Sequence, residues 1–104
     1  MAAIGSSATA MLSDLTIDMA VLSSSGISLE RGLSTSDPET AELKRVAMDA
    51  ARQRVFLGDH SKFGLSSFCR YADVQEFNAV ITDSGLPNTV AAPYKAAGTR
   101  LIRA

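Results

Sequence analysis

Residues 54–64 read "RVFLGDHSKFG". A short apolar run, Val55-Phe56-Leu57, stops at Gly58 and gives way at once to Asp59, His60, Ser61 and Lys62, with Gly64 closing the group. The run reads as a buried strand, because it is short, apolar and bounded by turn-forming residues. Four polar side chains at the mouth of such a strand suit a ligand site. They also suit a capped turn in which Asp59 accepts from local backbone N–H groups. On these residues alone both readings stand, and the capped turn is the simpler.

Working outward, the neighbours of this strand repeat its pattern. "IDMAVLS" (17–23) is a second short apolar segment, "FNAVIT" (77–82) a third and "TRLIR" (99–103) a fourth. Helical segments alternate with them. Residues 5–15 place Ala8, Met11, Leu12 and Leu15 at helical spacing. "SDPETAELKRVAMDAAR" (36–52) opens with Asp37 as N-cap and Pro38 at the first helical position, where the missing N–H costs nothing; Ser36 with Glu39 offers an alternative capping box. Leu43, Val46, Ala47 and Ala50 form its expected apolar stripe. "LPNTVAAPYKAAG" (86–98) reads as helix with Gly98 as its C-terminal cap, Pro93 marking either a kink or the true first turn. "SSSGISLERGLSTS" (23–36) reads as a Ser- and Gly-rich loop, and "SSFCRYADVQE" (66–76) as a helical turn with a loop.

Short strands separated by helices require crossover connections, so the expected fold class is α/β, a mostly parallel sheet flanked by helices. In open sheets of this kind ligands bind beyond the carboxyl ends of the strands. Three polar clusters fall there: Ser23 to Gly26, Asp59 to Lys62, and Thr82-Asp83-Ser84.

Composition narrows the function. The chain has 104 residues, 46% hydrophobic and 20% charged, which fits one globular domain. Ten Lys and Arg against eleven Asp and Glu leave no basic face, so this chain alone is a poor nucleic-acid binder. A single cysteine, Cys69, excludes an internal disulfide framework and suits a reducing compartment. No apolar run approaches ~18 residues and the N-terminus lacks a signal-peptide pattern, so a cytoplasmic setting is expected. His60 is the only histidine, and no metal-ligand spacing accompanies it. No nucleophile elbow supports a Ser–His–Asp triad. Gly26 and Gly32 permit close backbone approach, but neither the dinucleotide nor the P-loop pattern is present. Lys44, two residues from Glu42 on a helix, reads first as part of a solvated face.

The order of these features resembles the C-terminal effector-sensing domain of the DeoR family of bacterial transcriptional repressors. The helix-to-strand run leading into Gly26-Ile27, a spacer and then Gly32 to Asp37 matches that family, as do "AELKRVAM" (41–48), "DHSKFG" (59–64) and "VITD" (80–83), all in the family's order. The resemblance extends from about Gly5 to Ile102. It implies a fold related to sugar-phosphate isomerases, amino-sugar-phosphate deaminases and coenzyme A transferases. It also implies binding of a phosphorylated sugar or related metabolite, and control of a winged helix-turn-helix that contacts DNA. Carried over by motif, the ligand-binding residues would be Gly26, Gly32, Asp37, Lys44, Asp59, Lys62 and Asp83, with Lys62 as the anion contact and Asp59 orienting it. No cofactor, metal or catalytic residue is implied, and an isomerase-like enzyme is the weaker alternative. The family's helix-turn-helix and the first half of its effector domain, with a Gly-Thr-Thr phosphate loop, have no counterpart in these residues. The chain is therefore expected to be the C-terminal portion of a sensing domain, and to form a homo-oligomer along its uncovered sheet or through its helices.

Overall fold

A computed structural model describes residues 17–104, so the expected helix over 5–15 lies outside the described residues. Within them the chain forms β1 (Ile17–Leu22), β2 (Gly26–Ser28), β3 (Gly32–Thr35), α1 (Pro38–Ala50), β4 (Ala51–Leu57), β5 (Cys69–Ala72), β6 (Ala79–Thr82), α2 (Asn88–Ala96) and β7 (Leu101–Arg103). Strands β1, β4, β6 and β7 make one sheet in that order, with every pairing parallel. The expected mostly parallel α/β sheet is what the chain builds.

The segment 23–36, expected to be a loop, carries instead an antiparallel hairpin. β2 pairs with β3, and β3 pairs with β5, giving a second, three-stranded sheet. The mixed stretch 66–76 contributes β5 and a single 3₁₀ turn, Val74–Glu76. Polar residues hid both strands. Ser28, Ser34 and Thr35 are buried, and the Ser34 hydroxyl accepts from the Ser67 N–H at 2.8 Å. A buried hydroxyl with a partner costs little, so a strand can carry it without an apolar alternation.

α1 starts as expected. Asp37 is extended, and its carboxylate accepts from the N–H groups of Glu39 and Thr40, with Pro38 following. The expected stripe differs, however: Ala41 and Met48 are buried, whereas Leu43, Val46, Ala47 and Ala50 are only partly covered. Between Ala41 and Met48 on the same face fall Lys44 and Arg45, each reaching a partner. Arg45 binds Glu76 at 2.7 Å and Asp49 at 3.2 Å, tying α1 to the turn after β5. Pro93 lies inside α2, and Gly98 ends the helix at φ +87°.

One face of the parallel sheet carries the core. Phe56 and Val80 pack there against Ile27 and Leu33 of the hairpin, Ala41 and Met48 of α1, Tyr71 and Ala72 of β5, and Tyr94 of α2. Alternation sends Met19, Val21, Leu57 and Ile102 to the other face, where they are exposed. No helix among the described residues is long and apolar enough to cross a membrane.

Candidate functional site

The chain leaves β4 through Gly58, whose N–H donates to the Ile81 carbonyl at 3.2 Å. His60–Lys62 then form one 3₁₀ turn. Asp59 caps it: the carboxylate accepts from the Ser61 N–H at 3.1 Å and from the Ser61 hydroxyl. Phe63 closes the turn and packs edge-on between Phe56 and Tyr94, with ring centroids 6.2 and 5.3 Å away. The Gly64 N–H donates to the Ile27 carbonyl at 2.8 Å, fastening the turn to the hairpin. Of the two readings of this stretch, the capped turn is present in full. It does not exclude a ligand, because a fixed turn is what a ligand site needs.

Asp83, at the end of β6, holds the same turn from the other side. Its carboxylate accepts from the His60 N–H at 2.7 Å, lies 2.8 Å from His60 Nδ1 and accepts from the Gly85 N–H at 2.9 Å. Chiefly the backbone bond from His60, with help from its ring and from Gly85, lowers the Asp83 carboxyl to about 2. It is an anion throughout the physiological range. His60 thus makes the His–Asp contact that a hydrolytic triad contains, but the neighbouring Ser61 hydroxyl is bonded to Asp59 and not to the His60 ring. Among the described residues no three His, Cys, Asp or Glu side chains cluster to hold a metal. Between the ends of β4 and β6 lies an open hollow of about 360 Å³, bordered by Leu57, Asp59, Ile81 and Asp83 and by the C-terminal Ala104.

A second group forms where β1 ends. The Lys44 ammonium donates to the Ser23 carbonyl at 2.6 Å and sits 5.9 Å from the centre of the Tyr71 ring. Burial lowers its pKa. The Tyr71 hydroxyl is bonded to the Ser24 hydroxyl and lies 3.4 Å from the Ser23 carbonyl; burial raises its pKa. Because Leu22 is registered against Phe56, Ser23 and Asp59 leave adjacent strands along one edge.

The structure therefore brings Asp59 and Asp83 to the border of one hollow, leaves Lys62 at the end of the turn they hold, and places Lys44 beside the next strand end. The remaining expected site residues are occupied otherwise. Asp37 caps α1, and the Thr40 hydroxyl at 2.7 Å is the main cause that lowers its pKa. A Cβ at Gly26 would stand 2.3 Å from the Leu65 carbonyl oxygen, and one at Gly32 would stand 2.0 Å from that of Ala72. Both glycines are explained by chain packing. Ser24 and Tyr71 were not singled out from the sequence; 47 positions separate them, and nothing local to either signals the contact.

An α/β sheet with a fixed polar turn at its carboxyl edge defines a broad class of domains that take ligands at their strand ends. The match to known proteins decides within that class. Residues 1–84 match the model of the DeoR C terminal sensor domain. The chain is 40% identical over 84 residues to the HTH-type transcriptional repressor GlcR of Bacillus subtilis (strain 168), covering 81% of this chain and 32% of that protein. It is 38% identical over 86 residues to the HTH-type transcriptional regulator YgbI of Escherichia coli (strain K12), covering 83% and 33%. It is 33% identical over 98 residues to the putative aga operon transcriptional repressor of Escherichia coli O157:H7, covering 94% and 36%. The chain belongs to the DeoR family of transcriptional regulators, in its sensor domain. It spans about a third of the length of these curated relatives.

Proposed function

We propose that this chain is the effector-binding segment of a DeoR-family regulator. In this reading it senses a phosphorylated sugar or related metabolite at the carboxyl edge of its parallel sheet, and controls DNA binding by a helix-turn-helix outside these residues. It self-associates through apolar surface. The single observation that carries the reading is the turn His60–Lys62, fixed by Asp59 and Asp83 beside a hollow at the strand ends. The Asp59 and Asp83 carboxylates border the hollow, and carboxylates with a nearby ammonium such as Lys62 are groups that recognise sugar hydroxyls and phosphate by charge-assisted hydrogen bonds. The second reading is an isomerase-like enzyme; Asp83, its carboxyl lowered to about 2 by hydrogen bonds from His60 and Gly85, would not serve as its general base.

Calorimetric titration with a panel of sugar phosphates and their parent sugars tests the proposal. A phosphorylated sugar should bind and its parent sugar should not. Lys62→Ala should weaken that binding by about ten- to a hundredfold, the worth of one charge-assisted contact. Unchanged affinity in the variant removes Lys62 from the site, and a panel in which nothing binds removes the effector reading.

A further inference from the structure

We propose that the cavity between the β2–β3 turn and α2 is a second binding site, for a small organic cation with an apolar body. The site is separate from the hollow between the ends of β4 and β6, with which it shares no lining residue, and does not depend on the sugar-phosphate reading.

Size and walls set the body of the ligand. The cavity has a volume of about 180 Å³. An apolar cavity of about 150 Å³ holds one benzene-sized ring, so a body of that size fits here. Leu29, Val90 and Pro93 supply apolar wall, and Leu29 and Val90 also pack against the core. Tyr94 lines the cavity while only 4% exposed, its ring edge-on to Phe63 with centroids 5.3 Å apart. Walls held by core packing are already in place, so a ligand does not have to order them.

The polar lining sets the charge. The Tyr94 hydroxyl has no hydrogen-bond partner among the described residues; burial first, and then the charge of Glu30, pushes its pKa up to about 12. A side chain this buried ordinarily has its polar atom paired, so the lack of a partner points to a group supplied from outside the chain. Glu30 also lines the cavity, is exposed to solvent, and forms no ion pair among the described residues. The hydroxyl oxygen of Ser28 accepts from the Arg31 N–H at 3.1 Å and keeps a second lone pair. The basic side chains nearest in sequence, Arg31 and Lys95, do not line the cavity. A lining with one carboxylate and no cation repels anions and attracts an ammonium, whose three N–H groups match the oxygens of Glu30, Tyr94 and Ser28.

The site is built where the family pattern stops. Val90, Pro93 and Tyr94 all follow residue 84, the last one matched to the sensor-domain model. Gly64, on the opposite wall, closes the "DHSKFG" turn and gives a backbone reporter beside the cavity.

Benzylamine, one ring with one ammonium, is the probe, and benzyl alcohol its neutral counterpart. Each is titrated into the ¹⁵N-labelled chain and followed by NMR. Benzylamine should shift the amides of Leu29, Glu30, Gly64 and Tyr94. It should bind at least about tenfold more tightly than benzyl alcohol, the worth of one charge-assisted contact. Glu30→Gln, at an exposed position where the fold is not at stake, should bring benzylamine to within about twofold of benzyl alcohol. Val90→Phe, which fills the cavity, should weaken both compounds. Equal binding of the two compounds, or benzylamine binding unchanged in Glu30→Gln, overturns the cation site. Shifts confined to Asp59 and Asp83 at the other hollow, or no shift at the amides around the cavity, overturn it as well.

Discussion

Replacing Gly32 by alanine should damage this fold far more than the same change at Gly98. Both glycines have positive φ, +79° and +87°, so both substitutions carry the left-handed penalty of about 1 kcal/mol. Only Gly32 is crowded: its added Cβ lies 2.0 Å from the Ala72 carbonyl oxygen and 3.1 Å from Asp73 Cα, whereas nothing stands within 4 Å of one at Gly98. Restoring an ordinary contact of 3.4 Å means moving the Ala72 backbone by about 1.4 Å. Leu33, the next residue, is paired with Ala72, so that movement strains the β3–β5 ladder at a buried position. Losing one or two buried backbone hydrogen bonds costs about 1–3 kcal/mol each, which brings Gly32→Ala to about 2–7 kcal/mol against about 1 for Gly98→Ala. Total domain stability is of order 5–15 kcal/mol, so the gap is easily read. Urea unfolding followed by circular dichroism supplies the measurement. Two variants within about 0.5 kcal/mol of each other would refute the packing account of Gly32.

Two further outcomes follow from the site and the sheet. Asp83 has its carboxyl lowered from 3.8 to about 2, so the stability it contributes is fully present above its unfolded pKa and is lost as pH falls through the folded value. The difference in stability between the unaltered chain and Asp83→Asn should therefore be constant near neutrality and shrink between about pH 4 and pH 2; a difference independent of pH would show that the carboxylate charge is not what holds the turn. With Met19, Val21 and Leu57 each at least half exposed on one sheet face, the chain should self-associate at ~100 μM, and a monomer of 10.9 kDa in sedimentation equilibrium would contradict the proposed assembly.

The parallel strands were legible because their side chains meet one simple demand. Val55, Phe56, Val80 and Ile81 sit mid-sheet, where apolar runs are the rule, and Asp37-Pro38 announces α1 by capping chemistry that acts within three residues. The hairpin was not legible, since Gly26 and Gly32 stand in strands only because Leu65 and Ala72 approach them from distant parts of the chain. Nor was the inward face of α1: Lys44 and Arg45 interrupt its apolar pattern, and their partners Ser23 and Glu76 lie outside the helix. Four polar residues at a strand end drew attention to a turn that the structure holds from both sides. Which of them hold the turn and which remain available depends on Asp83 reaching His60 across 23 positions, and short-range sequence pattern carries no such information.

The stretch "DHSKFG" is contiguous as written but not self-sufficient as an object. Ile27 fastens its glycine, Phe56 and Tyr94 enclose its phenylalanine, and Asp83 binds its histidine. Ile27 belongs to the hairpin, and the hairpin is held by a pairing of Leu33 with Ala72 that spans the whole turn. Excised as a peptide or transplanted to another protein's strand end, the six residues would keep Asp59 capping Ser61 and little else. Their shape depends on a pairing of distant segments that shuts around them. In such topologies the enclosing loop must close before its contacts give any return.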